Sequence, residues 1–202
     1  PLYFSKRCVH ALSVSFDFLV DKSPSYLTPS SVIVTPKSLI TNDDMQANGF
    51  IEESNFKIVK PSSCGKILHS GGMEIIQTNM IEEKKVEGLE KSPAYFQDYI
   101  GKKYELRVTV INQVIFPVKI ISNDPIDWRS FNNEISYSID VVSKDIQEKI
   151  LLMMDELNIK FAAFDFIIDC NDNYVFLELN ANGQWQWLEQ ELGIPISEEM
   201  IN

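Results

Sequence analysis

Arginine is scarce in this 202-residue chain: Arg7, Arg107 and Arg129 stand against fifteen lysines. A sequence that defaults to lysine makes each arginine worth noting, because the planar guanidinium fork grips carboxylate or phosphate through two parallel hydrogen bonds. Cysteine is as sparse. Cys8, Cys64 and Cys170 are odd in number and scattered, with no CxxC pair. That argues against a disulfide framework or a zinc site, and it suits a reducing cytoplasm. Positive charge is in deficit too, with 29 acidic residues against 18 basic and a net charge of -11. So acidic a surface repels phosphate backbones, which argues against nucleic acid as a partner. A basic peptide or a metal–nucleotide complex suits it better. No apolar run is long enough for a membrane span and no signal peptide is visible, so no membrane partner is expected. The chain opens on Pro1 rather than methionine, and its native N-terminus is expected to be missing.

What is present reads as organised text from residue 31 onward. Residues 1–30 hold one short strand-like run, at 12–20, then Pro24 and Pro29 among serines and threonines, which suggests a linker or the remnant of a further domain. Val32, Ile33 and Val34 are strand-like, and Asn42, Asp43 and Asp44 offer caps for a helix reaching about Glu53. Residues 56–59 read as a buried strand ended by Pro61. The stretch 61–72, rich in small and polar residues, reads as a mobile loop, and 75–81 as another strand. Two β-rich runs at 105–112 and 114–122 flank a tight turn at Asn112-Gln113. Residues 143–157 form the clearest helix, with Ile146, Ile150, Met153, Met154 and Leu157 on one face and Ser143 as its cap. Strands at 161–168 and 174–179 and a last helix at 184–192 complete an α+β or α/β pattern without repeats. The division expected is 1–30, 31–94 and 95–202.

The chemistry concentrates in residues 161–187. Asp165 interrupts an apolar strand, while Glu178 and Asn180, two apart, share one face of the next. If those strands are antiparallel neighbours, three oxygen-bearing groups converge, which is the hard and sparse ligand set magnesium requires. The competing reading is a solvated sheet face. Asp169, Asp172 and Asn173 lack the glycine and distal glutamate of a calcium loop and read as turn residues. Upstream, Lys60 ends an apolar strand just before the polar loop, where an ammonium can reach phosphate oxygens and the amides near Ser62, Ser63 and Gly65 can close over them. A plain surface lysine is the alternative. Glu105 and Arg107 alternate with Leu106 and Val108, so they share a strand face. There the glutamate can accept from ribose hydroxyls and the arginine can hold phosphate or carboxylate. Otherwise they are a surface ion pair that contributes about 0–1 kcal/mol.

Taken in order, the strand lysine, the loop, the QDYI stretch at 97–100, the ELRV strand, the aspartate strand and the E-x-N strand resemble the ATP-grasp superfamily. The finer resemblance is to the graspetide (microviridin-type) peptide ligases. It rests on PKSLITND at 36–43, on Asp127-Trp128-Arg129, and on Asn182-Gly183-Gln184-Trp185 followed by Trp187. The resemblance implies an α+β fold with ATP held between two subdomains. It implies Lys60 on the phosphates, Gln97, Asp98, Tyr99 and Ile100 around the adenine, and Glu105 on the ribose. Arg107 would hold the phosphate or acyl phosphate, and Asp165, Glu178 and Asn180 the magnesium. The substrate it implies is a ribosomally made precursor peptide. An Asp or Glu side chain of that peptide is phosphorylated, then attacked by a Ser/Thr hydroxyl or a Lys amine to close a macrocycle.

Asn123, Asp124 and Asp127 are candidates to bind a basic leader segment, with Trp128 and Arg129 beside them, and a homodimer is common in the resembled family. That family also has an N-terminal domain and a second phosphate-binding lysine, for which Lys6, Lys22 and Lys37 are poor substitutes. Two alternatives remain open. One is a ligase of free amino acids or small peptides related to glutathione synthase or the ribosomal-protein glutamate ligases. The other is a non-catalytic nucleotide- or peptide-binding module.

Overall fold

The computed structural model describes residues 33–54, 56–61, 66–69, 72–75, 77–82, 85–130 and 133–201. The strand-like run at 12–20 lies outside them. The first half contains β1 (Ser38–Thr41), α1 (Asp44–Glu52), β2 (Lys57–Pro61), β3 (Lys66–His69), β4 (Gly72–Ile75), β5 (Asn79–Met80) and β6 (Ala94–Asp98). Strands β1, β6, β2 and β5 make one sheet in that order, with each neighbouring pair antiparallel. Alternation gives this sheet two unlike faces. One face carries Phe96 against Ala47, Phe50 and Ile51 of α1. That helix starts where Asp43 accepts hydrogen bonds from the Met45 and Gln46 amides, and such a cap satisfies donors the first turn cannot. The opposite face carries Ser38, Tyr95, Gln97, Ile58 and Lys60, set side by side by the strand register.

The second half forms β7 (Lys102–Ile111), β8 (Val114–Ser122), β9 (Ile135–Ile139), α2 (Lys144–Glu156), β10 (Phe161–Asp169), β11 (Tyr174–Asn180), α3 (Gln186–Leu192) and α4 (Ile196–Ile201). Its five strands lie in the order β11-β10-β7-β8-β9, again all antiparallel. One face carries a continuous apolar patch over β7, β10 and β11, bounded at β8 by Lys119. Leu106, Val108, Val110, Ala162, Phe164, Phe166 and Phe176 pack there against Ile146, Ile150, Met153 and Met154 of α2. The rings of Phe164, Phe166 and Phe176 lie within 6.4 Å of one another. The other face is divided. Toward β8 and β9 it is apolar, with Val118 and Ile120 covered by Leu188, Ile194 and Ile196 and ringed by Trp128, Tyr137, Trp185 and Trp187. Toward β10 and β11 it is polar, and the candidate site lies there.

Several expectations are corrected. In the stretch read as a loop from 61 to 72, the described residues are extended: β2 runs through Pro61, and 66–69 pairs antiparallel with 72–75. Small and polar residues dominated the reading and hid two four-residue strands. The strand expected at 75–81 is instead the end of β4 and the separate β5. Strands β1 and β9 and helix α4 were not foreseen. Ile33 and Val34 form no long strand; Val34 makes a single parallel bridge to Val175, and Ile33 is buried in the core. Among the described residues, no helix is long and apolar enough to cross a membrane.

The β7–β8 hairpin closes on two residues with positive φ, Asn112 at 52° and Gln113 at 96°. A two-residue turn of this hand matches the twist of the flanking strands but favours glycine at its second position. A side chain in the left-handed region costs about 1–2 kcal/mol, against about 0.5–1 kcal/mol of extra backbone freedom that glycine loses on folding. Gln113→Gly is therefore expected to raise stability by about 0.5–1 kcal/mol, read as a higher denaturation midpoint in urea. An unchanged or lower midpoint would show that the turn carries no such strain.

Candidate functional site

Strand register sets three charged side chains in a row. Arg107 on β7 faces Asp165 on β10, and Asp165 faces Glu178 on β11. Because side chains on a strand alternate, residues directly opposite on antiparallel neighbours project to one side. The three therefore lie on the face turned away from α2. Arg107 Nη1 donates to both Asp165 oxygens, at 2.8 and 2.6 Å, and Nη2 donates to the Gln184 carbonyl at 3.3 Å. Both side chains are largely shielded from solvent. Among the described residues, Glu178 has no cation paired with it at such a distance. Burial and the adjacent Asp165 carboxylate push its pKa above the ordinary carboxylate value, opposed by the Lys60 charge across the cleft. A carboxylate so placed binds a proton or a cation more readily than one in water.

A bulge makes this row possible. Between Asp165 and Phe166 the pairing on β11 jumps from Glu178 to Phe176, leaving Leu177 as the extra residue. Such an insertion re-aims side chains locally. Here it lets Phe176 stay in the apolar core while Leu177 and Glu178 both line the cleft. Asn180 lies further along the strand, opposite Ala163. Its amide oxygen accepts from the Asn182 amide at 2.9 Å, so it caps the turn that carries Gly183 and Gln184.

Lys60 faces the row from the other sheet. It is half-buried, and its ammonium donates to Gln97 Oε1 at 2.8 Å. Burial pulls its proton affinity below the usual lysine value, and the Glu178 carboxylate counters part of that. Between the two sheets, the 97–100 stretch forms the back of the cleft. Asp98 lines the cleft while its side chain pairs with the buried Lys57. The Asp98 and Tyr99 amides are held by the Lys37 and Phe56 carbonyls.

Glu105 also lines the cleft. Its Oε1 accepts from Lys102 at 2.9 Å, while the buried Oε2 has no hydrogen-bond partner. Burial raises its pKa, with Lys102 opposing the rise. A buried acceptor left open beside a cleft suits a hydroxyl donor from a ligand. The loop after β8 supplies the remaining wall through Asp127, Trp128 and Arg129. Asp127 is buried and chelates the Arg129 backbone and guanidinium, and Trp128 packs 5.5 Å from Trp187.

The structure thus gathers Lys60, Gln97, Asp98, Tyr99, Ile100, Glu105, Arg107, Asp127, Trp128, Arg129, Asp165 and Glu178 around one cleft. Asn123, Asp124 and Asn180 are not among the residues that line it. Asp124 accepts from the Ile126 and Asp127 amides and the Ser130 hydroxyl, and the Asn123 and Asp124 amides donate to Asn133. Ser62, Ser63 and Gly65 lie outside the described residues. Among the described residues, no three of His, Cys, Asp and Glu cluster tightly enough to hold a metal by themselves. Two carboxylates and an amide oxygen are nevertheless the donor chemistry of a magnesium site completed by phosphate and water. Sequence reasoning missed Ser38 and Tyr95, which contact Gln97, and Lys102, which neutralises Glu105. Tyr95 and Gln97 could have been linked by their i, i+2 spacing; Ser38 comes from a strand that was not recognised.

A family described as the RimK-like ATP-grasp domain matches residues 15–202. Among solved structures, a Chryseobacterium gregarium RiPP-associated ATP-grasp ligase in complex with ADP and a leader and core peptide is 27% identical, with a TM-score of 0.72, over 79% of this chain and 51% of that one. The macrocyclase MdnB from Microcystis aeruginosa MRC is 26% identical, with a TM-score of 0.64, over 84% of this chain and 53% of that one. The macrocyclase MdnC from the same source, bound with precursor peptide MdnA, is 24% identical with a TM-score of 0.73, over 84% and 54% of the two chains, a likeness of fold alone. The chain spans about half the length of these structures. No curated protein matches it.

Gly183 leaves no room for a side chain. A Cβ there would stand 2.5 Å from the Ala163 Cβ and 2.8 Å from Arg107 Nη2. Gly183→Ala is therefore expected to cost about 1–3 kcal/mol of stability by overpacking. Adding Ala163→Gly should recover part of that loss. Urea denaturation of the single and double variants checks both statements. A single variant as stable as the parent would show that the loop yields freely.

Proposed function

Because the chain belongs to the RimK-like ATP-grasp family, we propose that it is the catalytic part of a ligase that uses ATP and magnesium to activate carboxylates of a ribosomally made precursor peptide. The observation that carries this reading is the row Arg107–Asp165–Glu178, facing Lys60 across one cleft. Cation-binding and phosphate-binding groups stand there on opposite walls. The two most identical relatives named above are a peptide-bound ATP-grasp ligase and a macrocyclase, which favours a peptide substrate.

Each residue has a chemical task. Lys60 contacts the phosphates as a point charge. The backbone of 97–100 lies along the adenine, and Glu105 Oε2 accepts from a ribose hydroxyl. Asp165, Glu178 and Asn180 hold magnesium, which when bound offsets charge on the phosphate oxygens. Arg107 is braced by Asp165 and Gln184 so that its guanidinium stabilises the phosphoryl group in transfer. An Asp or Glu carboxylate of the peptide attacks the γ-phosphorus, the bond to the bridging oxygen breaks, and ADP leaves. A Ser/Thr hydroxyl or Lys amine then attacks the acyl phosphate carbonyl, loses its proton and expels phosphate. The product is a side-chain ester or amide that closes a ring. Trp128 and Arg129 form the wall nearest the peptide, on a loop that Asn123, Asp124 and Asp127 hold in shape.

The test is ADP release from the protein as its gene encodes it, with Mg-ATP, with and without the peptide encoded beside that gene. Mass spectrometry of the peptide follows. ADP release with loss of about one water mass per bond supports the proposal. ADP release with free amino acids or small peptides alone would replace it with a small-substrate ligase. Nucleotide binding without any ADP would leave a binding module. Glu178→Gln and Asn180→Ala are each expected to lower magnesium-dependent ADP formation by about 10²–10³-fold; the denaturation midpoint stays near the parent value for Glu178→Gln and falls modestly for Asn180→Ala, which loses its hydrogen bond from the Asn182 amide. Retained turnover in both would sink the metal assignment.

A further inference from the structure

The lysines of the four-stranded sheet are held in two different ways. Lys57, only 2% exposed, is ion-paired with Asp98, and Lys37 is ion-paired with Glu53. Lys60 is half-buried, yet its hydrogen-bond partner is a neutral amide, Gln97 Oε1 at 2.8 Å. Gln97 is itself just 1% exposed, and its amide is fully engaged. Nε2 donates to Ser38 Oγ and to Tyr95 Oη, both at 3.0 Å. The polarity of this network is fixed by the lysine, which can only donate and therefore faces the amide oxygen. The Tyr95 ring also lies 5.7 Å from the Lys60 ammonium, so the cation is flanked by an aromatic face and an amide and, among the described residues, by no carboxylate at hydrogen-bond distance.

Resting on the reading of Lys60 as a phosphate ligand, we infer that Gln97 is a positioning residue that aims the Lys60 ammonium into the cleft without neutralising it. A carboxylate at the same place would hold the lysine at least as firmly, as Asp98 holds Lys57. It would also cancel the charge that a nucleotide's phosphates need. The amide supplies orientation and leaves the full positive charge for the ligand. Ser38 and Tyr95 fix the amide in turn, so four residues from three adjacent strands act as one unit. The Gln97 side chain reads no part of the base.

The inference has a distinctive consequence. Gln97→Glu is nearly isosteric, and the Ser38 and Tyr95 hydroxyls can turn to donate to a carboxylate. The fold should accommodate it, while Lys60 becomes half of an ion pair. Binding of ADP and of adenosine, each with magnesium, is measured by calorimetry for the parent, Gln97→Glu, Gln97→Met and Lys60→Met, and for each Gln97 variant combined with Lys60→Met. Gln97→Glu should weaken ADP about tenfold and leave adenosine unchanged, because only the phosphate end is affected. Gln97→Met, which removes the acceptor but keeps the volume, should weaken ADP less and adenosine not at all. It carries the test if the glutamate variant does not fold. In the Lys60→Met background neither change should matter further. Equal weakening of ADP and adenosine, or a full effect without Lys60, would overturn the inference. So would parental ADP affinity in the Gln97 variants when Lys60→Met alone is weakened, and that result would leave the phosphate role of Lys60 standing. Parental ADP affinity in Lys60→Met would remove that role, and the inference with it.

Discussion

The site depends on one ion pair, between Arg107 and Asp165. Two carboxylates directly opposite each other on neighbouring strands repel, and burial adds a desolvation cost to each. Asp165 and Glu178 stand in that relation on a sheet whose other face is packed solid with phenylalanine, isoleucine and methionine. The guanidinium from the third strand offsets the repulsion, at a position that only the antiparallel register of β7, β10 and β11 provides. Arg107 is held on its far side by the Gln184 carbonyl, on a loop kept close by the absence of a side chain at Gly183. The apolar core beneath is thus what keeps the charged row in line. Its ladder fixes which residues meet, and the polar face inherits that register.

Across the cleft the two cations are treated in opposite ways. Arg107 rests against a carboxylate, whereas Lys60 rests against an amide. One charge is masked and local; the other is left to act over a distance on whatever enters. The Glu178 carboxylate lies between them, raised in pKa by burial and by Asp165. An anionic ligand with its own divalent cation meets complementary charge at both walls. The net charge of -11 does not describe this cleft, since the acidic excess lies largely elsewhere on the chain.

Much of this was legible in the text. The spacing of Glu178 and Asn180, the lone Asp165 in an apolar strand, and the alternation of Glu105 and Arg107 with Leu106 and Val108 all follow from the two-residue period of strands. The long helix at 144–156 followed from the spacing of its four buried residues. What escaped had no local signature. The bulge at Leu177 shows only in the pairing, and the contact between Gly183 and Arg107 joins residues 76 apart in sequence. Strand β1 is four residues long and sits beside a better helix signal. In β9, Ile135, Tyr137 and Ile139 do alternate with serines, but nothing nearby marks it as the partner of β8. The residues at 123–127 can be read equally as a surface for a ligand and as a solvated turn; Asp124 and Asp127 are bonded within their own loop.

The bulge has a further meaning for how this strand can vary. On either side of Leu177 the inward and outward positions of β11 swap parity, so Tyr174 and Phe176 count on one beat and Glu178 and Asn180 belong to the other. With the same residues paired regularly, Phe176 and Glu178, two apart, would share a face, which would either bring Phe176 to the cleft or turn Glu178 into the phenylalanine cluster. The unpaired Leu177 is what sets them on opposite faces. For this strand the pairing, more than hydrophobicity, decides which side chains meet the cleft.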